Sequence, residues 1–226
     1  MDFNELALIG FFSVLAYLFY RNKKRNQLDF IQEYRFNSAI GRKVQQRYPH
    51  LNEQQISLVL TALKDYFLLC HQAKRRTVSM PSQVVDAAWH EFILFTRHYQ
   101  SFSQKALGRF LHHTPTEAMS TPTQAQDGIK RAWRLACAKE KINPQHPTRL
   151  PLLFSIDADL GIKDGFRYSL NCKDKTSPAY GDGYCASHIG CASGCSGDSG
   201  SSSSSGGFFD GDSGSSGDGG GGCGGD

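Results

Sequence analysis

Three polar residues lie within one strongly apolar stretch and carry groups that can do chemistry. The stretch is "VVDAAWHEFILFTRHYQ", residues 84–100, and the three are Asp86, His90 and Arg97, which stand among its apolar residues. Asp86 and His90 are four residues apart, so on a helix they lie on one face, one turn apart. A carboxylate at this spacing can hold one imidazole nitrogen and leave the other free for a metal ion or a proton.

Two further histidines, His112 and His113, follow in the stretch "GRFLHHTP". Three interpretations are open. Asp86, His90 and His113 could bind a metal ion, or the same residues with His112 could form a metal-dependent or proton-transfer enzyme site. Alternatively, Asp86 and His90 satisfy each other beside a packed Trp89. Because buried polar groups are usually paired, we favour the polar pair.

A cysteine and histidine segment near the end of the chain offers a different metal site. Cys185, His188, Cys191 and Cys195 are separated by only two or three residues. Four such nitrogen and sulfur donors can surround one zinc ion, which makes zinc the candidate cofactor. Zinc motifs usually contain two pairs separated by a loop, and this arrangement is compressed. Metal binding or sensing, redox sensitivity and plain disordered cysteines all stay open, because a cytoplasmic location would keep these thiols reduced.

Capping signals predict the helices that position these groups. Starts are indicated at Asn52 with its capping-box partner Gln55, at Ser82, and at the Thr-Pro pairs of Thr114 and Thr121. The Ser82 helix is expected to continue through Arg97 and Tyr99, with Trp89 in its buried stripe. "RLPLLFSIDADLGI" predicts a further short helix, and "KDGFRYSL" predicts a turn and a brief extended piece. The predicted fold is mainly α, with a small helical-bundle domain.

The N-terminal stretch predicts a membrane anchor. "LALIGFFSVLAYLFY", residues 6–20, is apolar and is followed by a basic cluster of Arg21, Lys23, Lys24 and Arg25. At ~1.5 Å per residue the run spans only ~23 Å of a hydrocarbon core ~30 Å thick. The expectation is one uncleaved transmembrane helix in the cell membrane. The positive-inside rule then puts the N-terminus outside and the C-terminal domain in the cytoplasm.

The rest of the chain divides by composition. The net charge is +4, but no Lys or Arg follows Lys175, and the end is a Gly, Ser and Asp tract that predicts a disordered tail. Basic residues show no aromatic interleaving, which argues against nucleic acid as a partner. The predicted divisions are a membrane anchor at 1–25, a helical domain at 26–170, a Cys/His-rich segment at 171–195 and the tail at 196–226.

The motif "VDAAWHEFILFTRHY" resembles the Asp-x-x-Trp-His helix of the glycine-rich domain-containing proteins. With "GRFLHHTP", "LPLLFSIDADLG" and the glycine-rich end, the chain is also similar to uncharacterised bacterial membrane-anchored proteins. Asp86, Trp89 and His90 match the motif, whereas the second histidine common in that family is Phe92 here. The resemblance implies a helical domain and no established reaction. The sequence therefore favours a structural or adaptor protein with a protein partner, ahead of the enzyme and metal-sensor alternatives.

Overall fold

The computed structural model describes residues 3–113, 122–170, 184, 185 and 189. The predicted mainly α fold is confirmed for these residues. The helices are α1 (Phe3–Glu33), α2 (Ser38–Arg47), α3 (Glu53–Ala73), α4 (Gln83–Leu94), α5 (Thr96–Leu107), α6 (Pro122–Lys139) and α7 (Leu152–Asp159). Two short strands, β1 (Tyr168–Ser169) and β2 (Tyr184–Cys185), pair in parallel. The Cys/His segment and the tail otherwise fall outside the described residues.

Helix α3 is the central element of the domain, and it packs against α1, α2, α4, α5, α6 and α7. It begins with the predicted capping box, in which the Asn52 side chain accepts from the Gln55 N–H and the Gln55 side chain accepts from the Asn52 N–H. Its second half is buried on almost every side, from Tyr66 to Cys70. A helix that is apolar all round is stable only when neighbours surround it, so α3 organises the other helices.

Aromatic rings fill the space between α3, α4, α5 and the end of α1. Phe67, Phe92 and Phe102 are almost fully buried and contact one another at ring-centroid distances between 4.8 and 6.1 Å. Tyr34 covers this group from the end of α1, 4.6 Å from Phe102. Each such pair adds ~0.5–1.5 kcal/mol beyond its buried area. This packing holds α4 in place against α3.

The C-terminal half of α1 belongs to the helical domain. Ile31 is fully buried, and Lys64 of α3 donates a hydrogen bond to the carbonyl of Gln32 at 3.0 Å. The Nε2 atom of His71 lies 3.2 Å from the Gln27 Oε1 atom. The predicted boundary between residues 25 and 26 therefore falls inside one continuous helix.

The predicted transmembrane helix is wrong. Within the described residues, no helix combines the length and the apolar content that crossing a bilayer requires. The apolar run ends at Tyr20 after only 15 residues, and four cationic residues follow within the next turn and a half of α1. The predicted localisation is wrong for the same reason. It was a single pass through the cell membrane, with the N-terminus outside and the C-terminal domain in the cytoplasm.

The predicted Ser82 helix is divided into α4 and α5. The chain turns at Phe95, where ψ is +60° and the backbone N–H bonds three residues back to the carbonyl of Phe92. The break allows Phe92 and Tyr99 to pack in the same core at 5.3 Å. Arg97 therefore lies on α5, and the stripe predicted from Asp86 through His90 to Arg97 does not exist on one helix.

A buried carboxylate joins α7 to the start of α4. Asp157 is 2% exposed, and its Oδ1 atom accepts hydrogen bonds from the Ser82 hydroxyl at 2.7 Å and the Val84 N–H at 3.1 Å. Its Oδ2 atom accepts from the N–H groups of Gln83 at 2.7 Å and Phe166 at 2.9 Å. Anions are stabilised at helix N-termini by such free N–H groups, so Asp157 determines where α4 begins.

A glycine permits the last of these contacts. A Cβ atom added at Gly165 would lie 2.7 Å from the Asp157 Cβ atom and 2.9 Å from that of Ile162. Only a residue without a side chain lets the backbone approach closely enough for the Phe166 N–H to reach the carboxylate. The predicted turn in "KDGFRYSL" is thus a part of the Asp157 site.

We predict that Asp157→Asn lowers the free energy of unfolding by about 3 kcal/mol. The amide keeps one acceptor oxygen and places an NH₂ group against donors, so two hydrogen bonds to a charged group are lost at ~1.5–3 kcal/mol each. Urea unfolding followed by circular dichroism measures the change. The exposed neighbour Asp159, changed to Asn, is the control and should alter stability by less than ~0.5 kcal/mol. Equal effects of the two changes would contradict the role of Asp157.

A second buried carboxylate pairs across α3 and α6. Asp65 of α3 is 8% exposed and lies 2.8 Å from the Lys139 Nζ atom. Burial raises the pKa of Asp65 above its usual value, and the hydrogen bond and charge of Lys139 oppose part of that rise. The lysine therefore compensates a desolvated charge in the native state.

Lys139→Met should destabilise the protein more at pH 7.5 than at pH 4.5. Without the lysine, the pKa of Asp65 in the folded state rises further above the unfolded value of ~4, so the folded protein binds the proton more tightly. Stability is then lost as the pH rises from the unfolded pKa towards the raised folded pKa. In that range the Asp65 carboxyl ionises more readily in the unfolded state than in the folded state. At pH 7.5 we expect a loss of ~2–3 kcal/mol, measured by urea unfolding. Asp65→Asn with Lys139→Met should remove the pH dependence, and its persistence would contradict the assignment.

Candidate metal site

Asp86, His90 and His113 converge on one point at the surface of the helical domain. The His90 Nδ1 atom lies 3.2 Å from one oxygen of Asp86, and the His113 Nε2 atom lies 3.0 Å from the other. One donor atom from each residue lies within 4.8 Å of the other two. The two imidazole rings are 4.3 Å apart between centroids. Two nitrogens and a carboxylate oxygen therefore face a shared space.

Two of the three residues are placed by α4. Asp86 lies in the first turn, where a negative charge is favoured by the helix dipole, and His90 follows one turn later. Ser82 caps this helix by accepting from the N–H of Val85 at 3.2 Å, as predicted, and the Ser82 hydroxyl is itself held by Asp157. The start of α4, and so the direction of Asp86, depends on that buried contact.

The third residue comes from the segment after α5. Gly108 ends α5 with φ +68°, a left-handed conformation that glycine adopts without strain. Arg109 then donates a hydrogen bond to the carbonyl of Lys74 at 2.7 Å. Leu111 is buried, and its carbonyl accepts a hydrogen bond from the Tyr99 hydroxyl. These contacts bring the chain back over α4 at His113.

Trp89 supports the cluster from below. It is 3% exposed, its ring centroid is 4.5 Å from that of His113, and its Nε1–H donates to the Tyr99 hydroxyl at 3.1 Å. The Tyr99 hydroxyl in turn donates a hydrogen bond to the Leu111 carbonyl. One hydrogen-bond chain therefore links α4, α5 and the segment that carries His113. Burial raises the pKa of Tyr99 to about 12, and the phenol keeps its proton as a donor at neutral pH.

The cluster is open to solvent on one side. The side chain of His90 is 49% exposed, whereas those of Asp86 and His113 are 21% and 15% exposed. The apolar wall beneath the site is Trp89, and no cation contacts the Asp86 carboxylate among the described residues. The site therefore combines ligands held from one side with access for water from the other.

The remaining predicted residues lie elsewhere. His112 is exposed, contacts the Phe110 ring edge-on at 4.8 Å and is not part of the cluster, although it is adjacent to His113. The predicted zinc ligands Cys185, His188, Cys191 and Cys195 lie outside the described residues, apart from the Cys185 backbone in β2. That prediction, and the sensing function based on it, stay predictions.

The two described cysteines are unsuited to nucleophilic chemistry. Cys70 and Cys137 are both buried. Burial raises the pKa of each thiol to about 12, so neither is a thiolate at neutral pH. They behave as small packed hydrophobic residues, in line with the apolar faces on which the sequence places them.

Comparison with protein families gives one match. The profile of the UCP032817-like family covers residues 26–189, which is more than half of the 226-residue chain. The chain belongs to the UCP032817-like family. Neither the curated proteins nor the solved structures gave a match. The UCP032817-like match contains α2 to α7 and all three residues of the cluster.

The predicted membership of the glycine-rich domain-containing family, and the resemblance to bacterial membrane-anchored proteins, are therefore wrong. That prediction relied on the glycine-rich end, which lies after the region that defines a UCP032817-like protein. The second histidine that is common in the glycine-rich family is already missing from this chain. Phe92, at the place of the expected second histidine, is 1% exposed in the aromatic core and cannot contribute to a ligand set.

Sequence reasoning named all three cluster residues in this UCP032817-like chain but missed the contacts that assemble them. The sequence pattern predicts Tyr99 only as part of the Ser82 helix, and it does not single out Arg109. The available signals were the glycine that stops α5 and the arginine that follows it directly. Neither signal shows which carbonyl the arginine will reach, because Lys74 is 35 residues away.

Tyr99→Phe should destabilise the protein by ~1–3 kcal/mol, because the Trp89 N–H and the Leu111 carbonyl lose a buried partner. Thermal unfolding measures this loss. Tyr48→Phe is the matched control, since the Tyr48 hydroxyl is buried without a hydrogen-bond partner among the described residues. It should leave stability unchanged or raise it. If the two variants unfold alike, the hydrogen-bond chain does not hold the His113 segment.

Proposed function

We propose that the protein binds a divalent transition-metal ion through Asp86, His90 and His113. The observation that carries the proposal is the convergence of three ligand atoms, from two separate chain segments, within 4.8 Å of one another. Imidazole nitrogens and a carboxylate oxygen are ligands that zinc and iron(II) accept.

The spacing of the donors supports this proposal. Tetrahedral zinc with bonds of ~2.0–2.1 Å requires ligand atoms about 3.3 Å apart. The two nitrogen–oxygen distances of 3.2 and 3.0 Å are close to that value. These distances join the two histidines to different oxygens of Asp86, and the three donor atoms lie within 4.8 Å of one another, so the side chains would have to turn towards a shared ion to bind it. The same distances permit hydrogen bonds when no ion is bound, so a protein lacking metal would keep the site assembled.

The number of ligands supports a reactive rather than a purely structural ion. Structural zinc sites are usually closed by four protein ligands, whereas catalytic ones have three and keep a position for water or substrate. Three residues converge here, and half of the His90 side chain is exposed. A metal in such a site supplies a Lewis acid and an activated water. Asp86, His90 and His113 would hold it, and Trp89 would limit water from below.

The location of the ligands also fits a preorganised site. Asp86 and His90 are on a regular helix, and the His113 segment is tied by Arg109 and Tyr99 before it reaches the cluster. Sites held by regular elements and by hydrogen-bonded supports keep their geometry better than free loops do. The sequence favoured a polar pair of Asp86 with His90. The contact of His113 with the second carboxylate oxygen of Asp86 is the reason to prefer a metal site.

Metal binding should depend on the cluster and not on its neighbours. The full-length protein, loaded with Zn²⁺ or anaerobic Fe²⁺ and dialysed, is expected to retain one equivalent at this site. His90→Ala and His113→Ala should each weaken the affinity measured by competition with a chelator by at least ~10-fold. Mg²⁺ should not compete, because it prefers oxygen ligands. His112→Ala is the control and should leave the affinity unchanged.

The cysteine-rich segment requires a separate control. Changing Cys185, Cys191 and Cys195 to Ser removes the other predicted zinc ligands while leaving the cluster intact. In that background, Co²⁺ bound at the cluster should give an absorption spectrum without a sulfur-to-metal charge-transfer band. Loss of all metal from the serine variant, with full retention by His90→Ala and His113→Ala, would refute the proposal and favour the cysteine segment.

A further inference from the structure

The first part of α1 extends away from the helical domain. Every residue from 8 to 26 is exposed, and burial along α1 (Phe3–Glu33) begins at Gln27. A Cβ atom added at Gly10 would have no neighbour within 4 Å, so no other element in the described part of the chain covers the helix there. We call residues 3–26 the projecting segment. At ~1.5 Å per residue it is ~36 Å long.

The projecting segment exposes more apolar surface than a monomer usually does. Ten large apolar side chains between Leu8 and Tyr20 are each 51–73% exposed. Large apolar side chains have ~150–250 Å² of surface, so ten of them at this exposure present on the order of 1,000 Å². The largest apolar patch on a typical monomer is ~300–600 Å², whereas each partner of a stable interface buries ~800 Å². The exposed area is therefore that of an interface.

One face of the projecting segment has the geometry that receives a side chain from another helix. An open apolar groove on this face is lined by Phe12, Leu15, Ala16, Leu18, Phe19 and Asn22. Among these, Phe12, Leu15, Ala16 and Phe19 stand at i, i+3, i+4 and i+7, the four positions that surround a hole in knobs-into-holes packing. Because Ala16 is small, an incoming side chain can enter between its larger neighbours. The groove therefore fits a helix packed alongside α1.

The opposite face of the projecting segment is also apolar and exposed. Ile9, Tyr17 and Tyr20 lie there and are 56–60% exposed. A helix that is apolar on every side is buried by neighbours on more than one side. A single partner helix covers one face only, whereas each helix of a four-helix bundle has two neighbours. A helix that lies flat on a lipid surface needs a charged or polar face, which residues 6–20 lack.

Opposite charges at the two ends of the apolar run favour antiparallel neighbours. Glu5 precedes the run, and four cationic residues follow it at positions 21, 23, 24 and 25. Parallel neighbours would place these cationic ends side by side, where they repel. For two antiparallel helices centred on Leu15, helix geometry instead brings Glu5 of one copy beside Lys23 of the other. The same arrangement places Leu15 of each copy at the hole of its neighbour.

We propose that the projecting segments of four copies of this chain pack into an antiparallel four-helix bundle and so assemble the protein as a tetramer. Leu15 of one copy enters the hole around Ala16 of the next, and both apolar faces of each segment are covered. The UCP032817-like match begins at residue 26, so the bundle lies before the matched region. The assembly does not rest on the metal site.

Sedimentation equilibrium of the full-length protein tests the assembly. The expected mass is four times the chain mass of 25.0 kDa. Leu15→Glu should weaken assembly by at least ~10-fold, because it puts an unpaired charge into each hole. Leu94→Glu is the matched control, since Leu94 is a leucine of the helical domain that is 71% exposed. It should leave the mass unchanged, and circular dichroism verifies that both variants keep their helices.

A charge exchange tests the antiparallel order. Glu5→Lys and Lys23→Glu should each weaken assembly, by up to ~5-fold for each exposed pair that is lost. The two changes together should restore it, because the pair is rebuilt with its charges exchanged. A double variant that assembles no better than the single ones contradicts the antiparallel bundle.

Phosphatidylcholine vesicles separate self-assembly from lipid binding. The tetramer covers its apolar faces, so the protein should not float with the vesicles in a density gradient. The proposal is overturned if the wild-type protein does not have the mass of four chains, or if it binds the vesicles as a monomer. It is equally overturned if Leu15→Glu and Leu94→Glu change the mass alike.

Discussion

The buried carboxylate of Asp157 at the start of α4 is the constraint on which the rest of the domain depends. Four donors from two chain segments bond to it, so α7, the turn before β1 and α4 are held at one point. A charge in such a place is stable only when all of its acceptor positions are used. Small errors in the start of α4 would turn Asp86 and His90 away from His113, because each residue of a helix rotates the side chain by ~100°.

The aromatic core gives this arrangement its second support. Phe92 of α4 contacts rings from α1, α3 and α5, so α4 can neither slide nor roll without opening packed space. One face of the same helix thus belongs to the core, and another presents the metal-site residues. Rigid packing beneath and exposed ligands above are the conditions under which a short helix can hold a site accurately.

Local chemistry made several elements predictable. Asn52 with Gln55, Ser82, and Pro122 after Thr121 are signals that act within one turn of their own helices, and α3, α4 and α6 begin where those signals stand. The turn at Phe95 was not predictable in this way. The apolar pattern continues through it, and the chain bends because Tyr99 finds space in the core formed with α3 and α1. The apolar run at residues 6–20 predicted a membrane helix from composition, but its shortness and the adjoining cations outweigh that signal.

Residue type and short spacing were enough to predict the helical class, the starts of α3, α4 and α6, and Asp86, His90 and His113 as candidate ligands. The contacts of the folded chain were needed to show that His113 and not His112 reaches Asp86. The physical reason is that such meetings depend on contacts between residues distant in the chain. Arg109 to Lys74 and Asp157 to Ser82 close loops of 35 and 75 residues, and no local pattern encodes where these loops close.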